Sequence, residues 1–208
     1  MTIRAVLFDF DGTLTRPEAL DFAALRMALG CPPGATILEY IDALPTTDEQ
    51  KKAHGILTDF ELAAARASMP NPGAEEAVAL LKDRGIGCGI LTRNTIASIR
   101  ESLKNFPSLS EADFSVIVTR ESAGRPKPHP DGVIGAARQL GVAPREMLVV
   151  GDFIFDIAAG KAAGSPTVLV TNGRAAPDSR SAGVTWAGDA EPDYTIAGLS
   201  ELAALLAP

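Results

Sequence analysis

The sequence is short of the features that mark several classes of protein. Its two cysteines, Cys31 and Cys88, are far apart and lack the CxxC spacing of a thiolate metal site. A membrane span needs about 18 apolar residues, and no apolar run in the sequence approaches that length. The first apolar run of the chain stops at Asp9, which is too early for a secretion signal. Basic residues are not in excess, since 19 Lys and Arg stand against 26 Asp and Glu, for a net charge of -7.

The lack of a basic excess and of a long apolar run excludes two classes of binding partner. A nucleic-acid binder normally carries a basic excess or stripe, so we expect no nucleic-acid partner, and the missing apolar run predicts no membrane partner. We expect a cytoplasmic chain of 208 residues in which 46% hydrophobic content supports a globular fold. We expect no disulfide between the two cysteines, because disulfides are rare in the cytoplasm, where we expect this chain.

Short apolar runs, rich in β-branched residues, predict the buried strands of a parallel sheet. They are Ile3–Phe8, Ile86–Leu91, Phe114–Val118, Met147–Val150 and Thr167–Val170, with a last short strand at Pro192–Ile196. Helical patterns lie between and after them, over 74–81, 95–104, 131–140 and 199–206. This alternation predicts an α/β fold with a doubly wound, Rossmann-like parallel sheet.

The alternation breaks between residues 16 and 72, where no strand pattern occurs and about three helical patterns do. The predicted apolar stripes are Leu20, Ala24, Met27 and Ala28 in one helix, and Ile56, Phe60, Ala63 and Ala64 in another. Prolines frame the segment. We therefore expect a small α-helical cap at 16–72, inserted into a core domain formed by 1–15 and 73–208.

The first strand ends in the sequence DFDGT, Asp9 to Thr13. Side chains alternate along a strand, so Asp9 and Asp11 are expected on the same side, at the sheet edge where α/β proteins bind ligands. An acidic turn of no function is the alternative, and the strand context weakens it.

A second acidic segment, GDFIFD, follows the run 147–150 and contains Asp152 and Asp156. Asp156 is expected where the next helix begins, and capping that helix is compatible with binding a metal. Four carboxylates at one sheet edge would repel each other, and a hard divalent cation such as Mg²⁺ would relieve that repulsion.

Two further segments supply hydroxyl and positive groups. Thr92 follows the run 86–91 and precedes Arg93, and Lys127 lies in a loop with prolines on both sides, which stiffen its backbone. A loop lysine is usually solvated, but the prolines and the order of the motifs favour anion binding here.

Four motifs, taken in their order along the chain, resemble those of haloacid dehalogenase superfamily hydrolases. They are Asp9 to Thr13, Thr92, Lys127 in KPHP, and Asp152 with Asp156 in GDFIFD. The cap position resembles the branch that contains phosphoglycolate phosphatases and β-phosphoglucomutases. The match spans Asp9 to Asp156, and the pattern of strands and helices extends it over nearly the whole chain.

The resemblance implies roles for these residues. Asp9 is the expected nucleophile, and Asp11 is the expected acid and base, whose backbone carbonyl also binds metal. Thr92 and Lys127 are expected to hold the phosphate, while Asp152 and Asp156 bind Mg²⁺ with Asp9.

Three residues leave questions open. Phe153 stands where the family often has a small hydroxyl residue, so we expect the metal loop to lose a hydroxyl hydrogen bond there and still to bind metal. Arg93 is expected to contact a substrate phosphate or to form a surface salt bridge. Arg16, at the cap hinge, is expected to reach the substrate's leaving group or to be a solvated hinge residue.

The function expected from the resemblance is a Mg²⁺-dependent phosphatase that acts on a small phosphorylated metabolite. The alternative is a phosphotransferase or mutase of the β-phosphoglucomutase type, which the motifs do not distinguish. A non-catalytic phosphate-binding module is disfavoured because Asp9, Asp11 and Lys127 are all present. Either a monomer or a homodimer is compatible with the sequence.

Overall fold

The protein is described here from a computed structural model, which covers residues 2–17, 19–122, 124–174 and 191–206. Six parallel strands form one sheet in the order β3-β2-β1-β4-β5-β6. Their bounds are β1 Ala5–Phe8, β2 Gly87–Leu91, β3 Val116–Val118, β4 Met147–Gly151, β5 Thr167–Val170 and β6 Tyr194–Ile196. The predicted doubly wound α/β fold is confirmed, and the chain reverses its winding direction between β1 and β4.

Helices cover both faces of this sheet, and β1 shows why. Val6 and Phe8 point into the hydrophobic cluster on one face, and Ala5 and Leu7 point into the cluster on the other. This is the period of two expected for a strand buried on both sides. The core helices are α4 Ala74–Asp83, α5 Ile96–Leu103, α6 Asp131–Leu140, α7 Ile154–Ala163 and α8 Leu202–Leu205.

Three further helices lie between β1 and α4: α1 Phe22–Leu29, α2 Ile37–Asp42 and α3 Thr47–Ala67. They share a hydrophobic cluster of their own, which includes Leu25, Ile41 and Leu57. A capping box at Thr46 and Glu49 fixes the start of α3, since Thr46 Oγ1 accepts from the Glu49 N–H and the Glu49 carboxylate accepts from the Thr46 N–H. We call α1 to α3 the cap.

The two chain segments that join the cap to the core run side by side. Thr15 and Pro70 form an antiparallel bridge, and the Arg16 N–H donates to the Met69 carbonyl at 2.8 Å. The Asn71 N–H donates to the Leu14 carbonyl at the same distance of 2.8 Å. These bonds hold the hinge directly beside the carboxyl end of β1.

The predicted apolar stripes of the cap are wrong in detail. Met27 is 82% exposed, and the buried side of α3 contains Ala53, Leu57, Glu61 and Ala65 rather than Ala63. Glu61 is charged but buried, so the hydrophobic periodicity of α3 did not predict this buried side. No helix in the described ranges is both long and apolar enough to cross a membrane.

Candidate active site

Asp9 follows β1 at the edge of the sheet where the parallel strands end. Its N–H donates to the Val150 carbonyl of β4 at 2.8 Å, so the neighbouring strand fixes its backbone. The chain then turns sharply through Phe10–Leu14, where Gly12 has a φ of 76°, a conformation that favours glycine. This turn carries Asp11 and Thr13 beside the end of the strand.

Three carboxylates meet at this edge. Asp9, Asp152 and Asp156 each offer an oxygen atom, and these oxygens all lie within 4.8 Å of one another. Asp152 directly follows β4, whereas Asp156 lies in the first turn of α7 and accepts a hydrogen bond from the Phe153 N–H at 3.1 Å. Asp156 thus caps the helix and faces the site at once.

Two glycines make room for these carboxylates. A Cβ atom at Gly12 would lie 2.1 Å from Asp152 Oδ2, and one at Gly151 would lie 2.2 Å from Asp156 Cγ. Side chains cannot approach so closely, so the carboxylate positions require both glycines, and at Gly12 the positive φ favours glycine as well.

Lys127 links two of the carboxylates from the opposite side. Its Nζ donates to Asp9 Oδ1 at 2.5 Å and to Asp156 Oδ1 at 2.6 Å, and the residue is 5% exposed. Burial lowers the pKa of Lys127, but the charges of Asp156 and Asp9 outweigh burial and raise it above its ordinary range. The lysine is therefore a fixed positive charge at the site.

The carboxylates themselves carry more negative charge than one lysine neutralises. Burial, with the charges of Asp9 and Asp156, raises the pKa of Asp152 to about 8. Burial and the charge of Asp9 raise the pKa of Asp156 to about 6, despite the opposing effect of Lys127. If all three carboxylates were ionised, they and the one ammonium would leave two negative charges, which one divalent cation would balance.

Asp11 is not a member of this carboxylate group. Its Oδ2 accepts a hydrogen bond from Asn94 Nδ2 at 2.5 Å, at the wall of a cavity between core and cap. Surrounding protein displaces water from this carboxyl, and this desolvation, followed by the charge of Asp9, raises the pKa of Asp11 to about 7. A carboxyl with such a pKa can hold and release a proton near neutral pH.

Thr92 is buried at the end of β2 and lines the same cavity. Its N–H donates to the Val118 carbonyl at 2.9 Å, and its Oγ1 accepts from the Asn94 N–H at 3.1 Å. The Thr92 hydroxyl oxygen therefore accepts a hydrogen bond from the Asn94 N–H, and its own proton can be donated to a second group.

Arg93 joins the core to the cap. Its Nη2 donates to both carboxylate oxygens of Glu39, at 2.9 and 2.8 Å, and its Nη1 donates to the Lys127 carbonyl at 2.7 Å. The guanidinium also lies 5.0 Å from the centre of the Phe155 ring. Of the two alternatives for Arg93, the structure places it in a salt bridge, although it still lines the cavity.

Phe153 belongs to an aromatic pair at the cavity wall. Its ring meets that of Phe155 edge to face with centroids 4.9 Å apart. An apolar ring thus occupies the position after Asp152, and the Phe153 backbone still supports Asp156.

Glu61 and Arg120 form a buried ion pair that sequence reasoning missed, between α3 of the cap and the loop after β3. Glu61 is 4% exposed, and burial raises its pKa although Arg120 opposes that rise. Arg120 also donates to the Arg93 carbonyl, at 3.2 Å, so the two cap contacts are connected. Within the described part of the chain, Glu61 Oε2 has no hydrogen-bond partner.

A half-open cavity of about 1330 Å³ lies between the core and the cap. The core side contributes Asp9, Asp11, Thr92, Lys127 and Asp152, among others. The cap side is largely apolar, and Arg16 lies at its hinge. The structure thus brings all eight predicted site residues to one cavity, with Asp156 and Arg93 completing the set.

Asn94, Glu39 and Glu61 are the neighbours of the site that the sequence did not reveal. Asn94 follows Arg93 in the loop after β2, so its place near the strand end is the only signal that pointed to it. Glu39 and Glu61 lie on cap helices, where a charged residue ordinarily indicates a solvated face.

A capped, doubly wound sheet with acidic groups and a buried lysine at its carboxyl edge defines an α/β enzyme with a centre suited to anionic substrates. The model of the haloacid dehalogenase-like hydrolase family matches residues 3–164. The chain belongs to this family of hydrolases, as its sequence motifs predicted.

Known relatives agree with this assignment. An uncharacterised hydrolase of Saccharomyces cerevisiae is 40% identical over 172 residues, which are 82% of this chain and 78% of the relative. A phosphoglycolate phosphatase of Shigella boydii is 30% identical over 73% of this chain and 57% of its own. A Thermotoga maritima structure assigned as a β-phosphoglucomutase has a TM-score of 0.69 at 22% identity, covering 98% of each chain, and shows the fold alone.

Proposed function

We propose that this hydrolase is a Mg²⁺-dependent phosphatase that cleaves a small phosphorylated metabolite through an aspartyl-phosphate on Asp9. The observation that carries the proposal is the contact of Lys127 Nζ with Asp9 Oδ1 at 2.5 Å, beside the carboxylates of Asp152 and Asp156. The phosphatase named among the relatives supports the reaction class.

The residues present fit a divalent cation. Three carboxylates offer oxygen ligands within 4.8 Å of one another, and the glycines at 12 and 151 leave the space that these carboxylates need. Asp9, Asp152 and Asp156 would hold Mg²⁺, and the Asp11 carbonyl would join them as the family resemblance implies. When bound, Mg²⁺ would supply positive charge that reduces the repulsion between Asp9 and an anionic phosphate.

In the first half of the reaction, a carboxylate oxygen of Asp9 attacks phosphorus. The bond between phosphorus and the leaving-group oxygen breaks, and Asp11 gives its proton to that oxygen. Lys127 and the Thr92 hydroxyl hold the remaining phosphate oxygens as negative charge shifts toward the leaving group. The raised pKa of Asp11 supports this role, since a carboxyl of ordinary pKa would have no proton to give at pH 7.

In the second half, water attacks the phosphorus of the aspartyl-phosphate. Asp11, now ionised, takes a proton from that water, the bond between Asp9 and phosphorus breaks, and inorganic phosphate leaves. Asn94 holds the Asp11 carboxyl in place for both proton transfers through its 2.5 Å hydrogen bond. Asp11 lines the cavity between core and cap, the side from which a substrate would reach Asp9.

The test is phosphate release from a panel of phosphorylated short acids, sugars and nucleotides, with phosphoglycolate included. Wild-type protein is expected to release phosphate only with Mg²⁺, and Asp9→Asn is expected to release none. Asp83→Asn, an exposed change at the end of α4, is the matched control. Full activity of Asp9→Asn would overturn the proposal, and an isomerised sugar phosphate without free phosphate would establish the mutase instead.

A further inference from the structure

Two asparagines that are distant in the sequence hold the turn after β1 by its backbone carbonyls. Asn71 Nδ2 donates to the Thr13 carbonyl at 2.9 Å, and the Asn71 N–H donates to the Leu14 carbonyl at 2.8 Å. Asn172 Nδ2 donates to the Gly12 carbonyl at 2.7 Å. Three consecutive carbonyls of this turn are therefore bonded to one residue before α4 and one residue after β5.

The two side-chain amides are also bonded to each other. Asn71 Nδ2 donates to Asn172 Oδ1 at 2.9 Å. A backbone carbonyl can only accept, so the Gly12 carbonyl faces the nitrogen of the Asn172 amide, and the oxygen of that amide is left to accept from Asn71. Asn71 is 7% exposed, so water cannot readily replace its partners. The pair forms one hydrogen-bonded unit against the turn.

A local turn explains the backbone of Asn172 but not the contacts of its side chain. Asn172 has a φ of 54° and Gly173 a φ of 73°, and the Arg174 N–H donates to the Thr171 carbonyl at 3.0 Å. Asparagine followed by glycine favours such a turn. The turn asks nothing of the asparagine amide, which reaches from the end of β5 past β4 to the chain that follows β1.

The position of the turn after β1 matters because it carries Asp11 and packs against the carboxylates. A Cβ atom at Gly12 would lie 2.1 Å from Asp152 Oδ2, so a small shift of the turn would bring it against that carboxylate. Proton transfer by Asp11 also depends on its placement, since a misplacement of about 1 Å can greatly slow a reaction. Among the described residues that line the cavity, neither asparagine occurs, so both can act on a substrate only through the turn.

We propose that Asn71 and Asn172 are positioning residues, which fix the turn by its carbonyls and keep Asp11 where it exchanges protons with the leaving group and with water. The role in catalysis rests on the proposed function, whereas the restraint on the turn does not.

The restraint is tested first, by hydrogen exchange and mass spectrometry of the metal-free protein. The variants are Asn71→Ala and Asn172→Gly, and glycine keeps the positive φ while it removes the amide. Exchange in the peptide that covers residues 9–16 is expected to be about 10-fold faster in each variant, as for the loss of a hydrogen bond, with exchange in β4 unchanged.

Asn105→Ala is the matched control. Asn105 Nδ2 also donates to two backbone carbonyls, those of Ala65 at 2.9 Å and Ser68 at 3.0 Å, and it too joins the end of the cap to the core. It does not touch the turn after β1. The control is expected to keep the exchange rate of residues 9–16 and the kcat of the wild type.

The catalytic role is tested with the best alkyl phosphate of the substrate panel. Both variants are expected to lower kcat by about 10- to 100-fold with little change in KM, because neither amide meets the substrate. Because the two amides act as one unit, the variant that carries both changes should lose no more activity than the weaker single variant.

Three results would overturn the inference. They are exchange at residues 9–16 like that of the wild type in both variants, a kcat like that of the wild type despite faster exchange, and a loss of kcat in Asn105→Ala as large as theirs. Losses that multiply in the double variant would overturn the action as a unit. If the wild type hydrolyses no ester, the proposed function fails and the exchange rates alone decide whether the asparagines restrain the turn. Asn172→Gly alone decides it if Asn71→Ala does not fold.

Discussion

Replacing Asp152 with asparagine is expected to stabilise the metal-free protein at pH 8. In the folded chain, burial and the charges of Asp9 and Asp156 raise the pKa of this carboxyl from 3.8 to about 8. Between these two values the folded state keeps a proton that the unfolded chain has lost, so stability falls as pH rises through this window. Asparagine does not titrate, and the variant escapes that loss.

The size of the effect follows from the same shift. At about 1.36 kcal/mol for each pH unit, the full window would correspond to roughly 6 kcal/mol. Water reaches Asp152 at the cavity wall, and its titration depends on that of Asp156, so we expect a smaller effect of about 2 kcal/mol. For a chain of 208 residues this corresponds to a rise in Tm of about 4 to 8 °C.

The assay is thermal unfolding of wild type and Asp152→Asn in a chelator at pH 4 and pH 8, with Asp83→Asn as control. The two proteins should unfold at similar temperatures at pH 4, and the variant should be more stable at pH 8. Mg²⁺ at about 100 times its Kd should add about 2.7 kcal/mol to the wild type and much less to Asp152→Asn. A variant less stable than wild type at pH 8 without metal, or equally stabilised by Mg²⁺, would refute the reasoning.

Three further outcomes are expected. Gly12→Ala should abolish stabilisation by Mg²⁺, since its Cβ would lie 2.1 Å from the Asp152 carboxylate. Gly34→Ala, also at positive φ but with nothing within 4 Å of the added Cβ, should lower the free energy of unfolding by only about 1 kcal/mol and keep the Mg²⁺ response. Similar Mg²⁺ responses of the two variants would contradict this. The kcat/KM for alkyl phosphates should fall above pH 7 as Asp11 loses its proton, and kcat/KM for p-nitrophenyl phosphate should fall less, because its leaving group needs no proton; parallel profiles would exclude Asp11 as the acid. In urea unfolding, Glu61→Ala should cost about 3 kcal/mol by leaving a buried arginine unpaired, and Glu39→Ala, whose side chain is 47% exposed, at most about 1 kcal/mol; equal costs would disprove this difference.

The sequence predicted the sheet and the centre of the site for the same reason. Strands buried on both faces are short, wholly apolar runs, and the polar residues that follow them must lie at one edge of a parallel sheet. Asp9, Thr92 and Asp152 each directly follow such a run. Lys127 does not directly follow a strand, because it lies in the middle of the loop between β3 and α6. Its flanking prolines and its place in the order of the motifs were the features that indicated its role.

The rest depends on contacts between distant parts of the chain. Asn94 contacts Asp11 across 83 positions, and Arg120 meets Glu61 across 59. Each of these residues taken alone is an ordinary polar residue. Asn94 meets Asp11 where the loops after β1 and β2 come together, and Arg120 meets Glu61 where the cap packs against the core. The same packing buries Glu61 on α3, so hydrophobic periodicity missed part of the buried face of that helix, although Ile56 and Phe60 of the predicted stripe pack against the cap cluster.

The central claim is that Asp9 carries the phosphoryl group during turnover. The most direct measurement is acid quenching of the Mg²⁺-loaded protein with substrate, followed by borohydride reduction and peptide mass spectrometry, which converts an aspartyl-phosphate to homoserine. We predict homoserine at position 9, dependent on substrate and absent from Asp9→Asn. Turnover without conversion of Asp9 to homoserine, or a phosphoryl group found on another side chain, would contradict the account.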